Sequence, residues 1–424
     1  MKMLFKKYNV TEVEQQINWQ DARAKALAQF SAQGFPTRRE ESWKYTNLSG
    51  LTDELIKPCP RPNDVSHSAR TEASHCRLLV IDGYIDLARS LLPECVRVAQ
   101  LNALDTDEYA RDLINKLLPP SDDQPGHIAL NTAHAAEGIF MHLMKGVRLN
   151  RPLEIQYITT SKAAGSSYTQ VWLAMEPHSQ ASLIERFIGN DTGAQEGIRH
   201  CHNHVSRILL ADGAELSHFR LQDAPSNCYH IYTAYLKLKH GSRYQSFSAY
   251  TGAALSRQEV RVDLQGEQVH CDQRGITVGR NNQHHDVYWP VEHTMPSSYS
   301  NQHFRQLLDD DSKGIFYGSV HVPEGSYKTK AHQLNRNLLL SSGAQSISRP
   351  ELKIFNDDVV CSHGSTTGNL DQEAMYYLQT RGLSAHEAKM LLTQGFISEM
   401  LAQISDEYVR LAVAEQIELA MRKT

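Results

Sequence analysis

From about residue 126 to residue 360 the chain drops helical periodicity and runs as short alternating segments. Leu153, Ile155 and Tyr157 alternate with Glu154 and Gln156, and Val260, Val262 and Leu264 with Glu259, Arg261 and Asp263. Ile276 and Val278 alternate with Thr277 and Gly279. A period of two puts one face in a core and the other in water. Between the runs a polar residue and a glycine mark a corner, at Asp212-Gly213, His240-Gly241, Gln265-Gly266, Glu324-Gly325 and Ser342-Gly343. Glycine suits the positive φ that such corners need. A β region this long can be a sandwich, a barrel or a solenoid. The corners have no strict period, but the unbroken succession of one strand and then one corner favours a β-helix.

The flanks read differently. Residues 1–125 form a mixed, largely helical N-terminal domain: Glu12 to Gln33 is a helix stopped by Gly34 and Pro36, and Asp105 to Leu118 is another. Leu78-Leu79-Val80-Ile81, closed by Asp82-Gly83, is strand-like. The β-helix core is placed at 126–367 and a C-terminal helical domain at 368–424. There Asp371 caps Gln372 to Thr380, Ser384-Ala385-His386-Glu387 is a capping box before a helix reaching Ile404, and Asp406 to Arg422 carries an apolar stripe. Three such helices cannot bury much by themselves; they need the β region or another protein.

Bulk charge narrows the function classes. Lys and Arg number 43 against 48 Asp and Glu, a formal charge of −5, which argues against a strongly basic nucleic-acid binder. The start, Met1-Lys2-Met3-Leu4-Phe5-Lys6-Lys7, has no signal-peptide core, and no run approaches the ~20 apolar residues of a membrane helix. The expectation is a soluble cytoplasmic protein that takes no part in membranes. The seven cysteines are scattered and never paired as Cys-x-x-Cys, so buried free thiols are expected rather than disulfides or a cysteine-built zinc site. No P-loop, Gly-x-Gly-x-x-Gly, Gly-x-Ser-x-Gly or His-Glu-x-x-His is present, so the chain is expected to bind no nucleotide of its own.

Three stretches could carry chemistry. His200, His202 and His204 share one face of a strand, and the bland reading is a solvent-facing row. Gly34 to Thr46 packs arginines, carboxylates and aromatics together, and reads first as a segment that pins the N-terminal unit through ion pairs and a buried Trp43. Cys361 and His363 share a face in Asp357-Asp358-Val359-Val360-Cys361-Ser362-His363-Gly364. Taken alone they read first as a structural cysteine and a hydrogen-bonded histidine; the sharper alternative is metal or sulfur chemistry, with further ligands supplied by the fold or by a partner. His284-His285 and His270-Cys271 put neighbours on opposite faces and carry little.

Two of these stretches together resemble the SufB/SufD scaffold family of the SUF iron–sulfur cluster assembly system. Gly34-Phe35-Pro36-Thr37-Arg38, Glu41 and Trp43-Lys44-Tyr45-Thr46 match its N-terminal signature. Asp357-Asp358-Val359, Cys361-Ser362-His363-Gly364, Thr366 and Gly368 match its C-terminal one, with Ser365 for alanine. Asn335-Arg336-Asn337-Leu338-Leu339-Leu340 matches a middle motif, with Arg336 for histidine, and Tyr377-Leu378 with Arg381-Gly382 also fits. The Cys-Ser-His-Gly segment favours the SufD branch.

The resemblance implies a mainly β fold, a right-handed parallel β-helix between N- and C-terminal helical domains. It implies a non-catalytic scaffold that pairs with SufB through the β-helix edge and docks the ABC-type ATPase SufC through its C-terminal helices. It further implies that His363, with Cys361, helps to hold iron or a transient iron–sulfur cluster at the SufB seam, and it leaves open a homodimer through the same edge in isolated chains. Two rivals stand beside it. One is a stand-alone His-rich metalloprotein. The other is a carbohydrate-active β-helix enzyme, which calls for a groove of carboxylates or calcium ligands and usually for secretion.

Overall fold

The computed structural model describes residues 19–62, 76–101, 124–135, 137–160, 164–189, 197–198 and 200–422. The proposed helix at 105–118 lies outside them, as does the start of the first helix, whose described part is α1 (Trp19–Gln33).

Successive strands alternate between two sheets, which is the signature of a solenoid. The first sheet runs in sequence through β3 (Val96–Gln100), β4 (Gly138–Leu143), β6 (Gly165–Met175), β8 (His200–Leu210), β10 (Cys228–Leu238), β12 (Leu255–Leu264), β14 (His284–Glu292), β16 (Lys313–Val322) and β18 (Gln345–Ile354). The second runs through β2 (Tyr84–Leu91), β1 (Cys76–Ile81), β5 (Leu153–Thr159), β7 (Gln180–Gly189), β9 (Glu215–Asp223), β11 (Arg243–Tyr250), β13 (His270–Gly279), β15 (Tyr299–Leu308), β17 (Thr329–Leu339) and β19 (Val359–Asn369). Pairing is parallel throughout, except that β1 with β2 and β3 with β4 are antiparallel.

These bounds differ from the sequence divisions in two ways. β1 to β3 lie inside 1–125 yet join both sheets, so residue 126 is not where the sheets begin. β19 continues to Asn369, past the division at 367. The strand run at Leu78–Ile81 was legible because it is apolar throughout, being buried within β1.

Coil upon coil repeats one register, which the corner spacing did not reveal. Leu255 pairs with His284, His284 with Lys313 and Lys313 with Gln345. The corners use glycine for two different reasons. Gly213 and Gly241 have φ of 65° and 62°, the left-handed conformation. At Gly266 no positive φ is recorded; a Cβ there would stand 2.2 Å from the His240 nitrogen, so glycine answers the close approach of the neighbouring coil.

The coil interior holds an apolar core built from Val260, Val262, Val287, Trp289, Phe304, Phe316 and their neighbours. The outer faces are not uniformly wet. α2 (Gly126–His134) and the Gly34 to Thr46 segment lie against the first sheet: Asn131 donates to the Asn203 and Thr169 carbonyls at 2.6 and 3.1 Å, and buried Trp43 packs with Cys201, Ile231 and Leu255. Arg257 sits 4.5 Å over the Trp43 ring, Thr46 bonds Asp286, and Glu41 pairs with Arg349. The pinning reading of this segment is what the structure shows.

On the second sheet, α4 (Ala385–Leu401) and α5 (Glu407–Arg422) cover the outer face. Ile397, Met400, Val409, Val413 and Ile417 pack on Phe219, Leu221, Phe247, Ile276 and Val278. Ile276 and Val278 therefore face the helices, while Thr277, expected on the wet side, is fully buried. Lys389 reaches Asp309 at 2.8 Å, and Arg305 pairs with Glu399. α3 (Gln372–Thr380), capped by Asp371 as expected, has no fully buried residue. The capping box at Ser384 and Glu387 is present.

Candidate functional site

β18 and β19 form the last coil. Each is hydrogen-bonded on one side only, β18 to β16 and β19 to β17, and each is the outermost strand of its sheet. Their free edges carry unpaired backbone groups, which is a template for another strand. No residue of either strand is buried.

Cys361 and His363 sit on this coil. β19 pairs with β17 so that Cys361 lies over Ala331 and His363 over Gln333. Ala331 and Gln333 face the interior and are buried. Strand alternation then puts Cys361, His363, Ser365 and Thr367 on the inner face of a coil that has no successor among the described residues. Contacts bear this out: the Cys361 side chain packs against the core, Ser365 donates to Ser348 across the coil at 2.7 Å, and Asn337 donates to Thr367 at 3.1 Å. Cys361 is half-buried and burial pushes its thiol up, opposed in part by a hydrogen bond involving the Ala331 backbone. His363 is exposed. Hence the two residues named from sequence do share one face, at the rim of an open end. A thiol whose pKa is raised ligates only after giving up its proton, so it needs a nearby cation to do so. The imidazole needs only to be neutral.

Arg336, on the outer face of β17, stands 3.6 Å from Glu399 of α4. Its charge belongs to the junction with the C-terminal helices. Among the described residues no group of three or more His, Cys, Asp or Glu side chains is placed to hold a metal ion. The Cys361–His363 pair therefore offers at most part of a ligand set.

The histidine row on β8 is corrected by the structure. His200, His202 and His204 do share a face, but it is the inner one: their exposures are 7%, 6% and 1%. His202 meets the His230 ring, and burial lowers its imidazole to about 3. His204 belongs to a buried cluster around Glu185. That carboxylate accepts from Tyr157 at 3.0 Å, Tyr232 at 2.7 Å and His218 at 2.8 Å, with His204 3.3 Å away. Burial pushes Glu185 up, but the hydrogen bonds and charge of His204 and His218 outweigh it and hold the carboxyl well below its usual range. The alternating pattern of β8 is the same whether its face meets water or a polar interior, so sequence could not choose between them.

A second inward feature was also missed. In the column that ends at His363, register places His218, Ser246, Gln273, Gln302, Gln333 and His363 on consecutive strands. Gln333 donates to Gln302 at 2.8 Å and Gln302 to Gln273 at 3.2 Å. Only the register between coils brings these residues together.

All seven cysteines are free, as expected. No helix among the described residues is long and apolar enough to cross a membrane.

Comparison with known proteins points in one direction. Residues 157–396 match the family model described as SUF system FeS cluster assembly, SufBD core domain, and residues 3–56 match the SufBD protein N-terminal region. An iron–sulfur cluster assembly SufBD family protein of Synechocystis sp. is 28% identical over 87% of this chain and 84% of its own length. The iron–sulfur cluster assembly protein SufD of Escherichia coli is 26% identical over 92% of this chain and 90% of its own. The chloroplastic protein ABCI7 of Arabidopsis thaliana is 25% identical over 89% and 80%.

Proposed function

We propose, from the fact that this chain belongs to the SufBD family of the SUF iron–sulfur cluster assembly system, that it is a non-catalytic scaffold subunit of the SufD type, working in the cytoplasm. Its unfinished last coil pairs with the corresponding edge of SufB. Its C-terminal helices receive the ATPase SufC. His363 and Cys361 contribute ligands to iron, or to the nascent cluster, which is the cargo passing through the seam.

One observation carries the reading: Cys361 and His363 share the inner face of β19, the outermost strand of its sheet. A second subunit that adds a strand to that edge closes over both groups and supplies the ligands this chain does not place there. The helices support the second contact. α3 has no fully buried residue and presents Tyr376 and Tyr377 at 70% and 57% exposure, and Leu411 on α5 is 61% exposed. Because α4 and α5 are packed onto the second sheet and α4 is also ion-paired to it, movement imposed on them by SufC is passed to the solenoid. ATP is hydrolysed by SufC.

The test is cluster formation in the intact complex with SufB and SufC. His363→Ala is expected to reduce the yield of cluster; undiminished yield removes His363 from the mechanism. For the second contact, a chain ending before Asp371 is mixed with SufC. Equal binding with and without the helices defeats the docking assignment.

A further inference from the structure

We infer that Gln333 is a positioning residue for His363: its side-chain carbonyl takes a ring N–H of the histidine and so fixes which nitrogen is left to bind metal. The inference deepens the proposed role of His363 and rests on it.

Polarity along the column is set at Gln302, two strands before His363 in the second sheet. The Trp289 backbone carbonyl can only accept, and Gln302 donates to it at 2.8 Å, so the Gln302 amide nitrogen faces that carbonyl. The same nitrogen also donates to the Gln273 oxygen. Gln302 is then left with its oxygen as an acceptor, and Gln333 fills it with its own amide nitrogen at 2.8 Å. That fixes the orientation of Gln333 in turn. Its remaining group is the Oε1 oxygen, which is buried and has no hydrogen-bond partner. The residue is only 4% exposed. A buried acceptor left unsatisfied is destabilising, so the position calls for a donor.

Register supplies one. The next residue in the column is His363, one strand spacing of about 4.8 Å from Gln333 and on the same face. Its ring is exposed and therefore free to turn. An imidazole that donates one N–H to a fixed acceptor presents the lone pair of its other nitrogen, and metal-ligating histidines are commonly held in this way by a carboxylate or carbonyl. The glutamine column is thus a ladder whose direction, set by a main-chain carbonyl, ends in an acceptor below the rim histidine.

The test reads the tautomer directly. In the full chain labelled with ¹⁵N-histidine, the His363 resonances are assigned by their loss in His363→Gln. At a pH where the ring is neutral, the two nitrogens distinguish the tautomers. The expected result is one dominant tautomer in the native chain, and movement toward the free-imidazole ratio in Gln333→Met or Gln333→Leu, both near the native volume and without an acceptor. Whichever of the two folds, judged by its circular dichroism spectrum, serves. In the complex with SufB and SufC the same variant is expected to lower iron affinity by about tenfold, as losing the partner of a ligating histidine does. An unmoved tautomer ratio overturns the inference whatever happens to iron. A shifted ratio with unchanged iron affinity upholds the positioning and instead defeats His363 as a ligand.

Discussion

His218 and His363 occupy the same inward column of the second sheet, at two depths of the solenoid. His218 is fully buried and both its ring nitrogens are engaged, by Glu185 at 2.8 Å and Tyr244 at 3.1 Å. Among the described residues no coil follows the one that holds His363, and His363 is exposed. One position in the repeat therefore yields a structural histidine in one coil and an available one in another. Availability comes from where the coils stop and not from anything local to the residue. Deep in the solenoid both oxygens of Glu185 are engaged, whereas Gln333, one strand below the open end, keeps an acceptor without a partner.

The largest expected effect concerns the sealed imidazoles. Burial lowers His127 to about 4 and His202, His285 and His293 to about 3. A histidine depressed in the folded state binds its proton more readily when unfolded. Stability is therefore full above about pH 6.5 and falls as pH drops toward the folded values, by about 1.4 kcal/mol per pH unit for each group. Glu185, also held low, acts in the same direction over a lower window: its contribution is full above its ordinary carboxyl value near 4.5 and is lost as pH falls from there toward its folded pKa, so losses between about pH 6.5 and 4.5 belong to the histidines. The urea midpoint is expected to fall steeply over that range, with unfolding before pH 4. A midpoint that stays level from pH 7 to 5 would show the interior to be wet.

Next in size is Glu185→Leu, which strands the donors of Tyr157, Tyr232 and His218 inside the core. We expect a loss of about 3–5 kcal/mol in urea unfolding. Trp43→Ala, at the outer cover of the first sheet, removes a buried ring and the Arg257 stacking partner, and is expected to cost about 3 kcal/mol. The smallest effect belongs to the open end. His363→Ala is expected to leave stability within about 0.5 kcal/mol of the native chain while impairing cluster assembly. A substantial loss of stability there would erase the contrast between the two depths.

How much of this was legible in the sequence follows from the range of each signal. Alternation over a few residues identified the strands, and the dense N- and C-terminal motifs identified the pinning segment and the Cys361–His363 face. Which face is inner was not legible. Ile276 and Val278 look like interior residues but serve the C-terminal helices, and His200 to His204 look like a surface row but line the interior. A period of two names the faces without orienting them, because cover comes from segments far along the chain. The glutamine column was beyond reach for the same reason: Gln273, Gln302 and Gln333 meet only through inter-coil register.

The two extremities of the rod are built differently. At the start, both sheets finish in an antiparallel turn-back, β1 to β2 with an irregular register and β4 to the five-residue β3. Short or irregular borders of this kind discourage further pairing. At the finish, β18 and β19 are long and parallel and stop without a cover. A body that is adhesive at one pole and blunt at the other can continue its sheets into one neighbour only. Sheet-to-sheet growth along the axis would then stop after one addition, where a rod adhesive at both poles would grow into a fibre.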